Sequence, residues 1–549
     1  MTANEAYKII GDIKIGEGDF IRLEKELLRS LQSLEKLAAP CDGKSEALRI
    51  HQLLAHEVNE LIPDARKMPK RFRDEKQRLE AIFASAATLP AAFKADLRPY
   101  QLAGYQWLMH LAEWGAGACL ADDMGLGKTI QSLALLSARQ ELGPSLIIAP
   151  SSVCFNWENE SARFAPSLRL ISWRGQERSD LLDTLQAGDL VICSYALLSR
   201  DAAILAKRDW NIVILDEAQA IKNPLSQRAK AAKQLKARFR LATTGTPVEN
   251  NLRELWSLFD FLNPGLLHSL TDFETRYRTP IEQERNDAIR LSLRQKVSPF
   301  ILRRLKRDVL TDLPPRTEIT LRIELSPEER GFYEKLRLEA ITRVQNSEAK
   351  DIRLQVLAEI TRLRLAACHP KLVDESWQGS STKMDEVRER LHELLLSGHQ
   401  VLVFSQFLKH LALLRDWLQH LKIPCCYLDG STPVAERQQI VSDFQSGKAP
   451  VFLISLKAGG TGLNLTAADY VFHLDPWWNP ATEDQASDRA HRLGQQRPVT
   501  VYRFVSAASI EEKILSLHQS KRDLADSLLS GSDQTAALSV DALVELLQS

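Results

Sequence analysis

A chain of 549 residues is too long for one hydrophobic core and suits roughly three to four domains. Its 44% hydrophobic and 26% charged residues are those of an ordinary globular protein, which excludes a disordered or fibrous chain. The 71 Lys and Arg residues are matched by 71 Asp and Glu, which excludes a uniformly basic nucleic-acid coat and leaves only a local patch for such a partner.

The seven cysteines contain no C-x-x-C pair, and the closest two, Cys425 and Cys426, are adjacent. That pattern argues against zinc modules and a disulfide framework and suits a reducing compartment. No apolar run reaches about 18 residues, and the first residues lack the apolar region of a signal peptide. The expectation is a cytoplasmic protein that does not enter a membrane.

Residues 1–90 read as helical and polar, with Leu23, Leu27, Leu31 and Leu34 at helical spacing, then Leu54, Val58 and Leu61. The basic run Lys67–Lys76 reads as the solvated face of an amphipathic helix rather than a nucleic-acid arm.

From residue 91 the pattern becomes strand, loop, helix. Gly117–Ala121, Leu146–Ala149, Leu190–Ser194, Ile212–Leu215 and Arg240–Thr243 are short apolar runs separated by helical stretches. They predict an α/β fold with a parallel sheet covered on both faces. Lys128, Ser151, Tyr195, Asp216 and Thr244 all follow strand ends, where open α/β sheets bind ligands. Residues 266–380 break the alternation and read as helical insertions and a linker with prolines at 280, 299, 314, 315 and 370. A second alternating block follows, with strands expected at Gln400–Phe404, Cys425–Leu428, Val451–Ser455, Tyr470–Leu474 and Val499–Phe504. A helix is expected over Ile510–Leu529, then a short final helix.

The segment Asp122–Asp123–Met124–Gly125–Leu126–Gly127–Lys128–Thr129 reads as a phosphate-binding loop. Gly125 and Gly127 permit a tight bend that points backbone N–H groups at phosphate oxygens, and the helix after it adds partial positive charge. Lys128 suits the β- and γ-phosphates and the Thr129 hydroxyl suits Mg²⁺. Asp122 stands where the generic loop has its first glycine.

Asp216 and Glu217 are adjacent carboxylates at a strand end, suited to holding Mg²⁺ and to polarising the attacking water respectively. Gln101, whose amide offers a donor and an acceptor, is a candidate reader of the adenine edge. Thr244, in a tight polar turn, is read either as a relay of nucleotide state or as an ordinary turn. Gln485, Arg489 and Arg492 stand at i, i+4 and i+7 after Asn479, an expected N-cap, and Pro480. That spacing puts them on one helix face, read either as two guanidiniums aimed at a phosphoryl group or as a salt-bridged surface. Trp477 and Trp478 precede that helix, and at least one reads as core. The glycine-rich run Ser455–Leu465 lets backbone amides approach a nucleic-acid phosphate, with Lys457 and Thr461 as further donors.

Together these segments resemble the Swi/Snf-type ATPases, the double-stranded-DNA translocase branch of the superfamily 2 helicase-like proteins. Motifs occur in order at Leu97–Gln101, Asp122–Thr129, Ile147–Trp157, Cys193–Leu198, Asp216–Asn223, Thr244–Asn251, Phe300–Pro315, Val403–Phe407, Tyr427–Thr432, Ser455–Leu465 and Asp475–Gln495. Asp122 at the first loop position is usual in that family. Asp123, where relatives commonly carry Glu, is a conservative departure.

The resemblance implies two RecA-like lobes, at 91–265 and 381–520, with a helical N-terminal segment 1–90, insertions and linker at 266–380 and a helical tail at 521–549. ATP and Mg²⁺ are expected between the lobes. Gln101, Asp122, Met124, Gly125, Leu126, Gly127, Lys128, Thr129 and Gln485 form the implied nucleotide site. Lys128, Glu217, Arg489 and Arg492 are the implied catalytic residues, and Thr129 and Asp216 the implied metal ligands. Ser151 and Trp157 join Lys457 and Thr461 as DNA-contact candidates. The implied function is ATP-driven tracking of a monomer along duplex DNA, in the cytoplasm and on the nucleoid of a bacterial cell, displacing an unknown protein. The competing readings are a strand-separating DNA or RNA helicase and an ATP-gated scaffold, such as an RNA-polymerase-associated recycling factor.

Overall fold

The computed structural model describes residues 12–14, 20–22, 51–54, 70–174, 178–245, 251–310, 313–345, 352–459 and 463–516. The expected leucine-spaced helices at 23–34 and 58–61, most of the helix over Ile510–Leu529, the tail 521–549 and Thr461 lie outside them. Of Lys457 only the backbone is described.

The described strands, in chain order, are β1 Asp12–Lys14, β2 Phe20–Arg22, β3 Ala118–Leu120, β4 Ser145–Ala149, β5 Arg169–Ser172, β6 Asp189–Ser194, β7 Asp209–Asp216, β8 Lys236–Thr243, β9 Ile301–Leu302, β10 Arg316–Ile323, β11 Val401–Ser405, β12 Cys425–Leu428, β13 Val451–Ser455, β14 Tyr470–His473 and β15 Val499–Ser506. β1 and β2 form a small antiparallel pair within the segment expected to be helical. The helix Lys70–Ala84 is the described α-helical part of that segment.

Seven strands form one sheet in the order β5-β6-β4-β7-β8-β3-β9, and six form a second in the order β10-β15-β14-β11-β13-β12. Every pairing in both is parallel. Parallel strands need crossover helices, which cover both faces and demand apolar residues on both. In the first sheet Ile147, Ala149, Ile212 and Ile214 point into one core, and Leu146, Ile148, Val213 and Leu215 into the other. In the second, Leu402, Phe404, Phe452 and Ile454 face one side, and Val401, Val403, Val451 and Leu453 the other. Each Val, Leu, Ile or Phe among them, fully buried, contributes about 1.5–3 kcal/mol.

The region 266–380, expected to hold helices and a linker, also supplies one strand to each sheet. β9 pairs with β3 at an edge of the first sheet, and β10 pairs with β15 at an edge of the second. The passage between the lobes is therefore the stretch from Arg303 to Pro315. The helices Pro327–Gln345 and Ile352–Cys368 pack Leu336, Ile360 and Leu363 against Ile510 and Ile514 in a satellite core.

Candidate nucleotide site

The phosphate loop leaves β3 and enters the helix Lys128–Ala138. Gly125 (φ +91°) and Gly127 (φ +81°) adopt the left-handed backbone that the tight bend requires. Lys128 Nζ donates to the Asp122 carbonyl at 2.7 Å and to the Asp123 carbonyl at 3.3 Å. Thr129 follows in the first helical turn.

Asp122 does not face the mouth of the loop, contrary to its expected place among the nucleotide ligands. Its side chain is fully buried and paired with Arg304, Nη2 to Oδ2 at 2.5 Å and Nε to Oδ1 at 2.9 Å. Arg304 also donates to Gln131 Oε1 at 2.8 Å and to the Tyr100 carbonyl, and lies over the Tyr100 ring at 5.3 Å. An aspartate here fastens the loop to the inter-lobe connector, which a glycine does not do. Leu126 likewise turns its side chain into the interior, and its carbonyl accepts from Gln101 Nε2 and the Tyr100 hydroxyl, both at 3.1 Å. Gln101 Oε1 accepts from the Arg98 amide at 3.0 Å, so both ends of this amide are engaged by protein. Gln101 braces the loop here. Met124 is half-buried in the loop.

Asp216 ends β7. Its Oδ1 accepts from Thr243 Oγ1 at 2.6 Å and from the Glu217 amide at 3.0 Å. Its Oδ2 accepts from the Trp157 indole N–H at 2.8 Å. Trp157 is 1% exposed. Its expected role as a DNA contact is therefore corrected: the ring is interior and orients a carboxylate. Ser151, at the exposed start of the helix Ser151–Phe164, lies at the end of β4 on the ligand edge of the sheet.

Glu217 adopts φ 51°, ψ 55°, a conformation that costs a non-glycine residue on the order of 1–3 kcal/mol. Burial, then the Asp216 charge, raise its pKa above the ordinary glutamate value, opposed by Lys128, Gln219 and Arg489. Gln219 Nε2 donates to Glu217 Oε2 at 2.7 Å, and its Oε1 accepts from the Thr244 hydroxyl at 3.0 Å. Thr244 is thus linked to the Glu217 carboxylate through one side chain.

In the second sheet unit Asn479 caps the helix Pro480–Ser487, accepting from the Ala481 amide at 3.1 Å, with Pro480 first in the helix as expected. The helix stops at Ser487, so Arg489 and Arg492 lie in the turns beyond it rather than on one helical face with Gln485. Those turns close over the phosphate loop: a Cβ on Gly125 would stand 2.9 Å from Arg492 Cβ. Arg489 is 1% exposed, and its Nη1 donates to the Leu463 carbonyl at 3.5 Å. Its Nε and Nη2 have no hydrogen-bond partner among the described residues. Burial lowers its pKa to about 10 while Glu217 opposes that shift. Arg492 Nη1 donates to the same carbonyl at 3.3 Å. Gln485 is half-buried on the preceding helix.

The donor set suits a nucleoside triphosphate: a loop with its lysine, a strand-end carboxylate pair and an enclosed guanidinium with unused donors. Buried donors left unpartnered are costly, which is the expected signature of a site completed by an anion. The Thr129 hydroxyl and the Asp216 carboxylate are oxygens of the hard kind that Mg²⁺ takes alongside phosphate, so the residues present fit that ion. A second cluster, Cys368, His410 and Asp475, has metal-ligand spacing among the described residues. Its one carboxylate, Asp475, is already offset by Arg364, so a dication there would add uncompensated charge.

A family model described as "SNF2-related domain" matches residues 100–372, and one described as "Helicase conserved C-terminal domain" matches residues 383–494. This chain belongs to the SNF2 family of ATPases. The two parallel-sheet units are the RecA-like lobes of that SNF2 core. A "Putative ATP-dependent helicase/translocase YwqA" of Bacillus subtilis is 37% identical over 96% of this chain and 60% of that protein. The "ISWI chromatin-remodeling complex ATPase ISW1" of Saccharomyces cerevisiae is 36% identical over 84% of this chain and 43% of its own length. The SNF2 chain thus spans 60% and 43% of these relatives' own lengths. A solved structure, "Sulfolobus solfataricus SWI2/SNF2 ATPase core in complex with dsDNA", is 37% identical over 81% of this chain and 96% of that one, with a TM-score of 0.43.

Arg304 and Tyr100 were not legible as site residues, although both lie in motifs of the SNF2 core. Their signal is a contact between residues 204 positions apart.

Proposed function

We propose that this chain hydrolyses ATP between its two lobes and uses the cycle to track along duplex DNA. The observation that carries the reading is Arg489: a second-lobe guanidinium, buried, electrostatically engaged with Glu217 of the first lobe, with two nitrogens that have no hydrogen-bond partner among the described residues. In this reading Lys128 and the amides of Met124 to Gly127 hold the β- and γ-phosphates. Thr129 and Asp216 hold Mg²⁺, which would neutralise charge on the phosphates. Glu217 accepts a hydrogen bond from the attacking water, and Arg489 and Arg492 stabilise charge on the transferring group. Gln485 is assigned to the nucleotide, and Gln101, whose amide is taken up by the Arg98 amide and the Leu126 carbonyl, to bracing the loop that holds it. Hydrolysis then requires both lobes, because neither holds Glu217 and Arg489 together.

The complete set of Lys128, Glu217 and Arg489 supports turnover over a passive scaffold. Family membership and the motifs Asp216–Asn223 and Phe300–Pro315 support translocation on duplex DNA over strand separation. Ser151, Lys457 and Thr461 are the proposed phosphate contacts. Such contacts carry no base information, so binding is sequence-tolerant and weakens with salt by about 0.9 log units per log unit for each neutralised phosphate. We place the motor in the cytoplasm, and on the nucleoid in a bacterial cell, as a monomer. Among the described residues no helix is long and apolar enough to cross a membrane.

The test is ATP turnover measured side by side with no nucleic acid, duplex DNA, single-stranded DNA and RNA. Duplex DNA is expected to stimulate most. Equal or greater stimulation by RNA would favour the strand-separating reading.

A further inference from the structure

Lys306 lies in the connector between β9 and β10, in contact with both lobes. Its backbone amide donates to Asp123 Oδ2 of the phosphate loop at 3.0 Å, and the Asp123 amide donates back to the Arg304 carbonyl at 3.0 Å. Its side chain, 9% exposed, crosses to the second lobe. There Nζ pairs with Asp488 Oδ1 at 2.7 Å and donates to the His491 carbonyl at 2.7 Å. Asp488 and His491 immediately precede Arg489 and Arg492. The stem passes the loop itself, with Cε 3.7 Å from where a Cβ on Gly125 would stand.

We propose that Lys306 is a positioning residue that couples the phosphate loop to the arginine-bearing turns of the second lobe. This rests on the reading of the cleft as an ATPase site. A shift of the loop on taking up phosphate moves the Asp123 carboxylate, which carries the Lys306 backbone with it. The ammonium, held by two acceptors, transmits that shift to the residues before each arginine. The connector thereby acts as a short rigid link, and the arginines take their working geometry only when the loop takes its own. Asp123 has a part in this that a longer glutamate would fill with different reach. Lys306 does not touch the reacting atoms in this account.

Asp488 keeps a second partner, Arg316 Nη1 at 3.1 Å, so removing the Lys306 charge does not leave a lone buried carboxylate. Lys306→Met, which keeps the apolar stem, is therefore the informative variant, beside Lys306→Arg, Asp488→Asn and the double variant. Each is assayed as the full chain for kcat and KM with duplex DNA, and for affinity toward a fluorescent ATP analogue without DNA. Displacing a catalytic group by about 1 Å costs on the order of 10²-fold. Lys306→Met is expected to lose about that factor in kcat while nucleotide affinity stays within about threefold. Asp488→Asn should resemble it, the double variant should be no worse, and Lys306→Arg should recover part of the loss. Lost nucleotide affinity in Lys306→Met with Asp488→Asn unaffected would overturn the proposal, making Lys306 a direct ligand. Normal kcat in every folded variant would overturn it too, with ATP hydrolysis standing. No turnover in the unmutated chain under any nucleic acid would instead remove the functional reading on which the proposal rests.

Discussion

The Trp157 indole N–H donates to Asp216 Oδ2 at 2.8 Å, joining the helix after β4 to the carboxylate at the end of β7. In the proposed function Asp216 holds Mg²⁺, and losing the partner that orients such a carboxylate typically costs about 10–100-fold in affinity or activity. Trp157→Phe keeps the packing and removes the donor. Turnover at limiting Mg²⁺ is expected to fall by about that factor, with duplex-DNA affinity unchanged. Weakened DNA binding with normal turnover would restore the DNA-contact role that the sequence suggested.

Asp122 and Arg304 make a buried pair between residues 182 positions apart. Removing one partner leaves an uncompensated charge, at a cost of about 3–5 kcal/mol. Arg304→Ala should therefore lower stability to denaturant by about that much, and Asp122→Ala combined with it should recover most of the loss. A loss below about 1 kcal/mol would mean that the pair behaves like a surface salt bridge.

Much of the fold could be read in advance because parallel strands announce themselves as short apolar runs. β7 and β13 carry their pattern in consecutive residues. β5, β9 and β10 did not. β5 and β9 are short edge strands and only partly buried. β10, Arg-Thr-Glu-Ile-Thr-Leu-Arg-Ile, alternates polar and apolar residues between prolines and charges, so it passed for linker. The loop, the carboxylate pair and the cap at Asn479 were legible because each depends on neighbours in sequence. The end of the helix at Ser487 was not, since no Gly or Pro marks it. Trp157 and Arg304 were misassigned or missed because their roles depend on partners 59 and 182 residues away.

Glu217 has a raised pKa in the folded chain, from burial and the neighbouring Asp216 charge. The folded state therefore holds this proton more tightly than the unfolded chain. Ionisation of Glu217 disfavours the fold as pH rises through the folded value, and that cost is absent below the unfolded value of about 4.3. Glu217→Gln should then be more stable than the parent at about pH 8 and indistinguishable from it at about pH 4. It should also bind nucleotide normally and hydrolyse it poorly. Equal stability at both pH values, read from denaturant midpoints, would contradict the assigned cause of the shift.

The central claim is that Arg489 of the second lobe completes a nucleotide site built on the first. Its Nε and Nη2, without a hydrogen-bond partner among the described residues, are the donors in question. The most direct measurement is kcat under saturating duplex DNA, alongside ATP affinity, for the parent chain, Arg489→Ala and Arg489→Lys. The account predicts ATP and DNA affinities near the parent's and a fall in kcat on the order of 10³–10⁵ for Arg489→Ala. Arg489→Lys should rescue little, because an ammonium cannot reproduce the planar fork. An unchanged kcat in Arg489→Ala would contradict it and remove the second lobe from the chemistry.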